Sequence, residues 1–163
     1  ALGARMVVRG VSGTREVAAD EFFRGYFTTA VEPDELLTEV RVPGWPARSG
    51  GAFVEVARRH GDFAQIGVAA AVALGDGGEV VRAGVAVAGA ATEPVIATEV
   101  VDGLAGQAPT AALAEELAGT FAAGLAPPSD LHGSAAYRRQ LVRHLLPRAI
   151  ARSVRVALDA APA

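Results

Sequence analysis

Residues 66–74 read Ile-Gly-Val-Ala-Ala-Ala-Val-Ala-Leu, and this run decides the fold of the segment around it. Both faces of a strand built from these residues are apolar, which is typical of a strand that is covered on both sides. The next four residues, Gly-Asp-Gly-Gly, form a strong hairpin-turn sequence. With β-type runs at 52–58 before it and 80–89 after it, the sequence predicts a three-stranded antiparallel meander whose central strand is 64–74.

Helical patterns follow this sheet. Residues 97–104 predict a short helix, Thr110 is expected to cap a helix over 111–124, and Ser134 is expected to cap a long final helix. Pro147 lies inside that last helix, where it removes one backbone hydrogen bond and should kink the helix. Strands followed by helices predict an α+β fold in which the sheet packs on about three helices.

Two further strand patterns precede the sheet. Residues 5–17 predict a β-hairpin, and 36–42 alternate with the period of two that is typical of a strand. Proline and glycine residues then interrupt the pattern over 44–51. We therefore interpret 44–51 as a linker between a first part, 1–43, and a C-terminal domain, 52–159.

Composition excludes several classes of protein. The chain has 163 residues, of which 51% are hydrophobic and 20% are charged. That length suits one domain or two small ones, and the composition is too apolar for a disordered segment. No apolar run approaches the roughly 20 residues needed to cross a bilayer, and the first residues lack a signal-peptide pattern. We expect a cytoplasmic protein with no membrane partner, and the net charge of −3 predicts no nucleic-acid partner.

Missing residue types narrow the chemistry further. Cysteine and lysine are absent, and all 15 basic residues are arginine. This excludes disulfides, thiolate nucleophiles, cysteine-ligated metal centres and Schiff-base chemistry in the sequence given. His60, His132 and His144 are too scattered to predict a metal site, and the common catalytic motifs do not occur. We therefore assign no catalytic residue and no metal ligand.

Three features allow more than one interpretation. His60 and Asp62 form either an acid/base pair or, as we favour, a turn with a solvated histidine and a capping aspartate. The aromatic residues within 22–27 either pack in a core or lie against a flat ligand. Residues 134–155 contain six arginines and no acid, so this helix presents a solvated face, a face toward another subunit or, least favoured, a nucleic-acid arm.

Three segments resemble, in order, the motifs of one family. Residues 20–43, D-E-F-F-R-G-Y-F-T-T-A-V-E-P-D-E-L-L-T-E-V-R-V-P, are similar to its F-F-x-G-Y-F-x-T-x-x-x-P-x-E-L-L segment. Residues 53–64, F-V-E-V-A-R-R-H-G-D-F-A, resemble its R-R-x-G-D-aromatic turn, and 130–138, D-L-H-G-S-A-A-Y-R, resemble its D-x-x-G-S-A-x-Y-R segment. The chain thus resembles the C-terminal half of the FAD-binding medium subunits of molybdenum hydroxylases, the family of the carbon monoxide dehydrogenase medium subunit and the xanthine dehydrogenase flavin domain.

The resemblance implies an architecture and a role. The first part is the end of a second flavin subdomain, and the C-terminal domain is a three-stranded antiparallel sheet with three helices. FAD accepts electrons from iron–sulfur clusters on a small partner subunit, which a molybdopterin centre on a large partner subunit has reduced. The FAD then passes the electrons to an external acceptor, while the protein holds and tunes the flavin. The implied state is a hetero-oligomer.

One part of the family pattern does not occur in this sequence. The family holds the FAD pyrophosphate mainly with two glycine-rich loops of the A-G-G-H-S and T-I-G-G type, and neither is present. Because backbone amides at glycine turns hold phosphate, we expect this chain alone to bind FAD weakly or not at all. The alternative function is a non-catalytic subunit-interaction module that does not bind flavin by itself.

The resemblance assigns four flavin-contacting residues to this half. Leu37 matches a leucine that packs on the flavin or adenine side, and a core strand position explains it equally well. Phe63 matches the aromatic residue near the isoalloxazine ring, and Asp62 precedes it as a turn cap. Glu55 stands where carbon monoxide dehydrogenase relatives carry a lysine near FAD, so its carboxylate would disfavour an anionic reduced flavin.

Overall fold

The computed structural model describes residues 1–59 and 61–160. Its elements alternate little: strands dominate the first part of the chain, and helices dominate the last part. In chain order they are β1 (Arg5–Gly10), β2 (Gly13–Ala18), α1 (Ala19–Phe22), β3 (Phe23–Gly25), β4 (Thr28–Thr29), β5 (Leu36–Arg41), β6 (Ser49–Val56), β7 (Ile66–Leu74), β8 (Val80–Ala88), β9 (Val95–Ile96), α2 (Thr98–Leu104), α3 (Ala111–Gly124) and α4 (Ala135–Asp159).

The first part forms a small antiparallel sheet in the order β2-β1-β5. The predicted hairpin is confirmed as β1 and β2, and the predicted strand at 36–42 is confirmed as β5. Met6, Val8, Val17 and Phe22 supply a small core under this sheet, and Ala30 closes it. All residues of β5 are exposed to solvent, so its side chains add little to that core.

The second sheet has the order β6-β7-β8-β9, and every neighbouring pair is antiparallel. Its central strand β7 is almost wholly buried, as its apolar sequence predicted. The two-residue strand β9 extends the predicted three-stranded sheet by a fourth strand, because the chain after β8 turns back and pairs Val95 with Val87. The predicted α+β architecture is confirmed.

Strand β6 begins three residues earlier than predicted, inside the segment interpreted as a linker. Ser49, Gly50 and Gly51 pair with the end of β7. Gly50 is required there because helix α4 lies directly above it, where a Cβ atom would collide with the Ser153 carbonyl oxygen and the Ala157 amide nitrogen. Gly50, which resembles part of a flexible linker in the sequence, is therefore a site where a helix approaches a strand.

The three main helices cover one face of this sheet. Helix α4 packs on β6 and β7, α3 packs against α4, and α2 contacts α3 and β8. The predicted caps are confirmed: the Thr110 hydroxyl accepts from the Leu113 amide and the Ser134 hydroxyl accepts from the Tyr137 amide, both at 3.2 Å. Helix α4 continues through Pro147 without interruption.

One large core joins the sheet to the helices. Its fully buried side chains come from β7, α2 and α4, among them Ile66, Leu104, Leu146 and Ile150. Burying a side chain of this size contributes about 1.5–3 kcal/mol relative to leaving it exposed. No helix within the described ranges is both long enough and apolar enough to cross a membrane.

Candidate functional site

An open cleft with a volume of about 620 Å³ lies at one end of the second sheet. Three stretches form its walls: the turn between β6 and β7, the segment from the end of β8 to β9, and the loop before α4. Tyr26 reaches the cleft from the first part of the chain. These walls bring together residues that are far apart in sequence, including Arg58, Phe63, Glu93 and His132.

A buried arginine joins the three walls. Arg138 is only 5% exposed, and its Nη1 donates hydrogen bonds to the Gln65 carbonyl at 2.6 Å and to the Gly89 carbonyl at 3.0 Å. Its Nη2 donates to the Asp130 carboxylate at 2.7 Å. The Gln65 side chain also donates to the His132 carbonyl. One guanidinium therefore fixes the start of β7, the end of β8 and the loop before α4; we refer to Arg138, Gln65, Gly89 and Asp130 as the arginine clasp.

The negative partner of the clasp is stabilised as a carboxylate. The Arg138 guanidinium, followed by the His132 amide, holds the pKa of Asp130 below its usual value. The Asp130 Oδ1 atom accepts from the amides of His132 at 2.8 Å and Gly133 at 3.1 Å. Asp130 therefore has two structural tasks: it neutralises the buried arginine and shapes the loop that opens α4.

Exposed aromatic rings surround the mouth of the cleft. Phe63 is 98% exposed and Tyr26 is 63% exposed, although both are large enough to stabilise a core if buried. Phe63 follows a tight turn in which the Asp62 amide donates to the Arg59 carbonyl at 3.2 Å, and Gly61 adopts a φ of +89°. The backbone thus presents the Phe63 ring to solvent and to any molecule in the cleft.

The structure brings two of the four sequence-predicted residues together. Asp62 and Phe63 both line the cleft. Leu37 lies on β5 opposite Val8, and Glu55 lies exposed on β6 opposite Gly67, so neither lines it. The two interpretations of His60 and Asp62, an acid/base pair or a turn, both involve residue 60, which lies outside the described residues. Within the described ranges, no group of histidine and acidic side chains could hold a metal ion.

The aromatic segment 22–27 is divided between core and surface. Phe22 is buried, and its ring meets that of Phe23 edge to face with a centroid separation of 5.2 Å. Phe27 is fully exposed and adopts a φ of +54°, which is rare for an aromatic residue. A core role therefore holds for Phe22, while Tyr26 is available to a ligand in the cleft.

Sequence reasoning missed the arginine clasp. The acid and the arginine stand at the two ends of the 130–138 motif, and that spacing was a usable signal because the Ser134 cap between them marks the start of α4. Nothing in the local sequence indicated that Gln65 and Gly89 accept from the same guanidinium. Those contacts join residues 73 and 49 positions apart.

The solved structures that this chain resembles include the Cu,Mo-CO dehydrogenase in its cyanide-inactivated form. The TM-score is 0.88 at 34% identity, and the match covers 95% of this chain and 54% of that chain. Quinoline 2-oxidoreductase from Pseudomonas putida 86 gives a TM-score of 0.86 at 32% identity, with 96% and 54% covered. These likenesses agree with the α+β architecture described above.

Curated proteins give the same result at the level of sequence. The carbon monoxide dehydrogenase medium chain of Afipia carboxidovorans is 36% identical over 93% of this chain and 52% of its own length. The 6-hydroxypseudooxynicotine dehydrogenase complex subunit alpha of Paenarthrobacter nicotinovorans is 33% identical over 94% of this chain and 52% of its length. The chain therefore spans about half the length of the curated relatives it matches.

Family comparisons divide the chain close to the start of β6. Residues 1–45 match the FAD binding domain in molybdopterin dehydrogenase. Residues 51–153, which include most of the second sheet, most of the cleft and most of α4, match the CO dehydrogenase flavoprotein C-terminal domain. Because this second match covers more than half of the chain and the resemblance found in the sequence is thereby confirmed, the chain belongs to the CO dehydrogenase flavoprotein C-terminal domain family.

Proposed function

We propose that this chain is the C-terminal part of the FAD-binding, electron-transferring subunit of a molybdenum hydroxylase. In this role electrons pass from iron–sulfur clusters on a partner subunit through FAD to an external acceptor. The partners are a small iron–sulfur subunit and a large molybdopterin subunit in a hetero-oligomer. The observation that carries the proposal is the cleft at the end of the second sheet, where the family turn exposes the Phe63 ring.

The residues of the cleft fit the ring portion of FAD. A flat heteroaromatic ring needs a π-face to pack on and polar groups at its edge, and the cleft offers Phe63 and Tyr26 beside the side chains of Arg58 and Asp62. The pyrophosphate portion needs consecutive backbone amides at glycine turns, and the two family loops do not occur in this sequence. The chain therefore supplies the ring side of the site.

FAD, when bound, supplies the redox chemistry, and the chain controls access to it. Phe63 lines the cleft, and beside a bound FAD its ring limits the approach of water and of an electron acceptor. The Asp62 amide closes the turn that carries Phe63 through its hydrogen bond to the Arg59 carbonyl. The arginine clasp sets the distance between the walls.

Leu37 and Glu55 remain proposed flavin contacts away from this cleft. Leu37 is half-exposed on β5 and can pack on the flavin or adenine side. Glu55 is exposed on β6, and a carboxylate beside the flavin would disfavour an additional negative charge on it. Both assignments predict that substitution alters the flavin potential rather than the fold.

The test uses the complete subunit, purified with its natural flavin. We expect flavin absorbance in the parent, and we expect Phe63→Ala to increase quenching of the flavin fluorescence by iodide. The matched control is Phe27→Ala, because Phe27 is equally exposed but does not line the cleft. A complete subunit without flavin absorbance would falsify the proposal, and equal quenching in both variants would remove the role given to Phe63.

Titration of the isolated chain with FAD distinguishes the alternative, a subunit-interaction module that does not bind flavin by itself. The absence of the two glycine-rich loops from the sequence favours that alternative. Saturable quenching of FAD fluorescence by the isolated chain would rule it out.

A further inference from the structure

Charge is segregated along the C-terminal domain. Residues 83–137 contain six acidic residues and no arginine, whereas 138–155 contain six arginines and no acid. The first block includes α2 and α3, and the second lies entirely within α4. Because α3 packs against α4, an acidic helix and a basic helix lie side by side on the same face of the sheet.

Only some of the arginines of α4 serve the fold. Arg138 belongs to the arginine clasp, and the Arg139 side chain donates to the Leu125 carbonyl at the end of α3. Arg148, Arg152 and Arg155 are exposed, and within the described ranges none of them forms an ion pair. We call these three residues the arginine stripe.

The stripe is unfavourable for the helix on its own. Arg148 and Arg152 are four residues apart and Arg152 and Arg155 are three apart, so like charges are neighbours on the helix surface and destabilise it. No acidic residue of α4 before Asp159 offsets this repulsion. A surface with this charge pattern gains free energy when opposite charge covers it.

The residues around the stripe are typical of protein interfaces. At 3.6 residues per turn, Tyr137, His144, Arg148 and Arg155 project within roughly 40° of one another. Tyr137 is exposed, as is Leu158 at the far end of the helix. Arginine and tyrosine are enriched in the buried centres of interfaces. An aliphatic side chain that is exposed in the free subunit adds apolar contact when a partner covers it.

We propose that the arginine stripe docks an acidic surface of another subunit of the same complex. This proposal rests on the function proposed above, in which the chain works beside other subunits. Relatives of the chain are named as a medium chain and as subunit alpha of a complex, which agrees with that setting.

The neighbouring helices favour a protein over a nucleic acid as the occupant. Glu99, Asp102, Glu115 and Glu116 are exposed on α2 and α3. A phosphate backbone is negative along its whole length, so the Glu115 and Glu116 carboxylates of α3, the helix packed against α4, would repel it. A protein surface can place acidic side chains opposite α4 and neutral or basic ones opposite α3. The acidic helices therefore set the register of the docked subunit.

The test uses the complete subunit co-expressed with the other subunits of its complex, one of which carries an affinity tag. The stripe variant is Arg148→Glu with Arg155→Glu. The control is Arg9→Glu with Arg24→Glu, which reverses two exposed arginines in the first part of the chain. We expect the stripe variant to weaken assembly by about tenfold or more in Kd, while the control assembles like the parent.

Four additional measurements make the outcome decisive. The stripe variant must keep the thermal midpoint and the flavin absorbance of the parent, and Arg148→Gln with Arg155→Gln should give an intermediate loss of assembly. Unchanged assembly of the glutamate variant at 50 mM to 500 mM salt, a range of roughly 14 to 4 Å in screening length, overturns the proposal.

Two other occupants of the arginine stripe would also contradict the proposal. If the parent subunit alone forms dimers that the stripe variant does not form, the occupant is a second copy. If the parent alone retains DNA at low salt and the stripe variant does not, the occupant is a nucleic acid. A parent complex that assembles through the stripe but contains no FAD would contradict the proposed function and leave the docking surface intact.

Discussion

Replacing Arg138 by methionine tests the arginine clasp. The substitution keeps a long side chain inside α4 but removes the two hydrogen bonds to the Gln65 and Gly89 carbonyls, and it leaves the Asp130 carboxylate, whose side chain is 42% exposed, to solvent. A hydrogen bond to a charged group contributes about 1.5–3 kcal/mol, so the two bonds together account for about 3–6 kcal/mol. Removing a buried charge recovers part of that loss, because its desolvation no longer opposes folding. We expect a net loss of about 2–4 kcal/mol in the free energy of unfolding.

Urea denaturation followed by the fluorescence of Trp45 measures this loss. Trp45 is the only tryptophan of the chain, and its ring lies under the Arg82 guanidinium at 4.1 Å, so its emission reports on the contact between the two parts of the chain. For a chain of this size, about 2–4 kcal/mol corresponds to a fall of roughly 5–15 °C in the thermal midpoint.

The matched control is Arg148→Met, the same exchange on the exposed face of the same helix. Exposed substitutions change stability by about 0.5 kcal/mol or less, so the two variants should differ severalfold. Arg138→Lys should lie between them, because an ammonium group cannot reach all three acceptors in the planar geometry of a guanidinium. If Arg138→Met and Arg148→Met unfold at the same urea concentration, the clasp does not hold the walls of the cleft together.

Two further predictions concern a turn glycine and the acid response of the first sheet. Gly89 has a φ of +81°, and a Cβ there would collide with the Gln65 carbonyl oxygen, so Gly89→Ala should lower the free energy of unfolding by about 2 kcal/mol or more. Gly119 lies in open space on α3, so the control Gly119→Ala should leave the free energy of unfolding unchanged or raise it by up to about 1 kcal/mol. Urea denaturation measures both. The Arg15 guanidinium lowers the pKa of Glu35 from 4.5 to about 2. A carboxyl whose pKa is lower in the folded state stabilises the fold fully above its unfolded value of 4.5 and loses that contribution as the pH falls toward 2. Arg15→Gln should therefore flatten the dependence of stability on pH in that window, and an unchanged slope would contradict the pairing.

The strands of the second sheet could be predicted because the signals that define them are local. The apolar run 66–74 and the glycine turn after it are sufficient to place β7 and β8 beside each other. The start of β6 could not be predicted in this way. Ser49-Gly50-Gly51 has the composition of a linker, and only the position of α4, about a hundred residues later, shows that Gly50 is needed for close packing.

The candidate site, like the second sheet, could be predicted only in part from local sequence. Asp62 and Phe63 were proposed because residues 53–64 resemble a family turn, and the structure places both of them at the cleft. The importance of Arg138 was not predicted, since two of its three acceptors are backbone carbonyls, which every residue carries and no sequence pattern marks. Exposure was also unpredictable: Phe22 and Phe27 are five residues apart and chemically identical, yet one is buried and the other is fully exposed.

The residues that helix α4 contributes to the two proposals lie on different faces of the helix. Its inner face supplies Leu146 and Ile150 to the core and Arg138 to the cleft, whereas its outer face carries the arginine stripe. A rigid helix that is packed along its length on β6 and β7 transmits little rearrangement from one face to the other when an exposed side chain changes. Charge reversal on the outer face should therefore change assembly without changing the flavin, and loss of the clasp should change the cleft without removing the docking surface. A variant of the stripe that alters the flavin potential in the isolated subunit would show that the two faces are coupled through the helix.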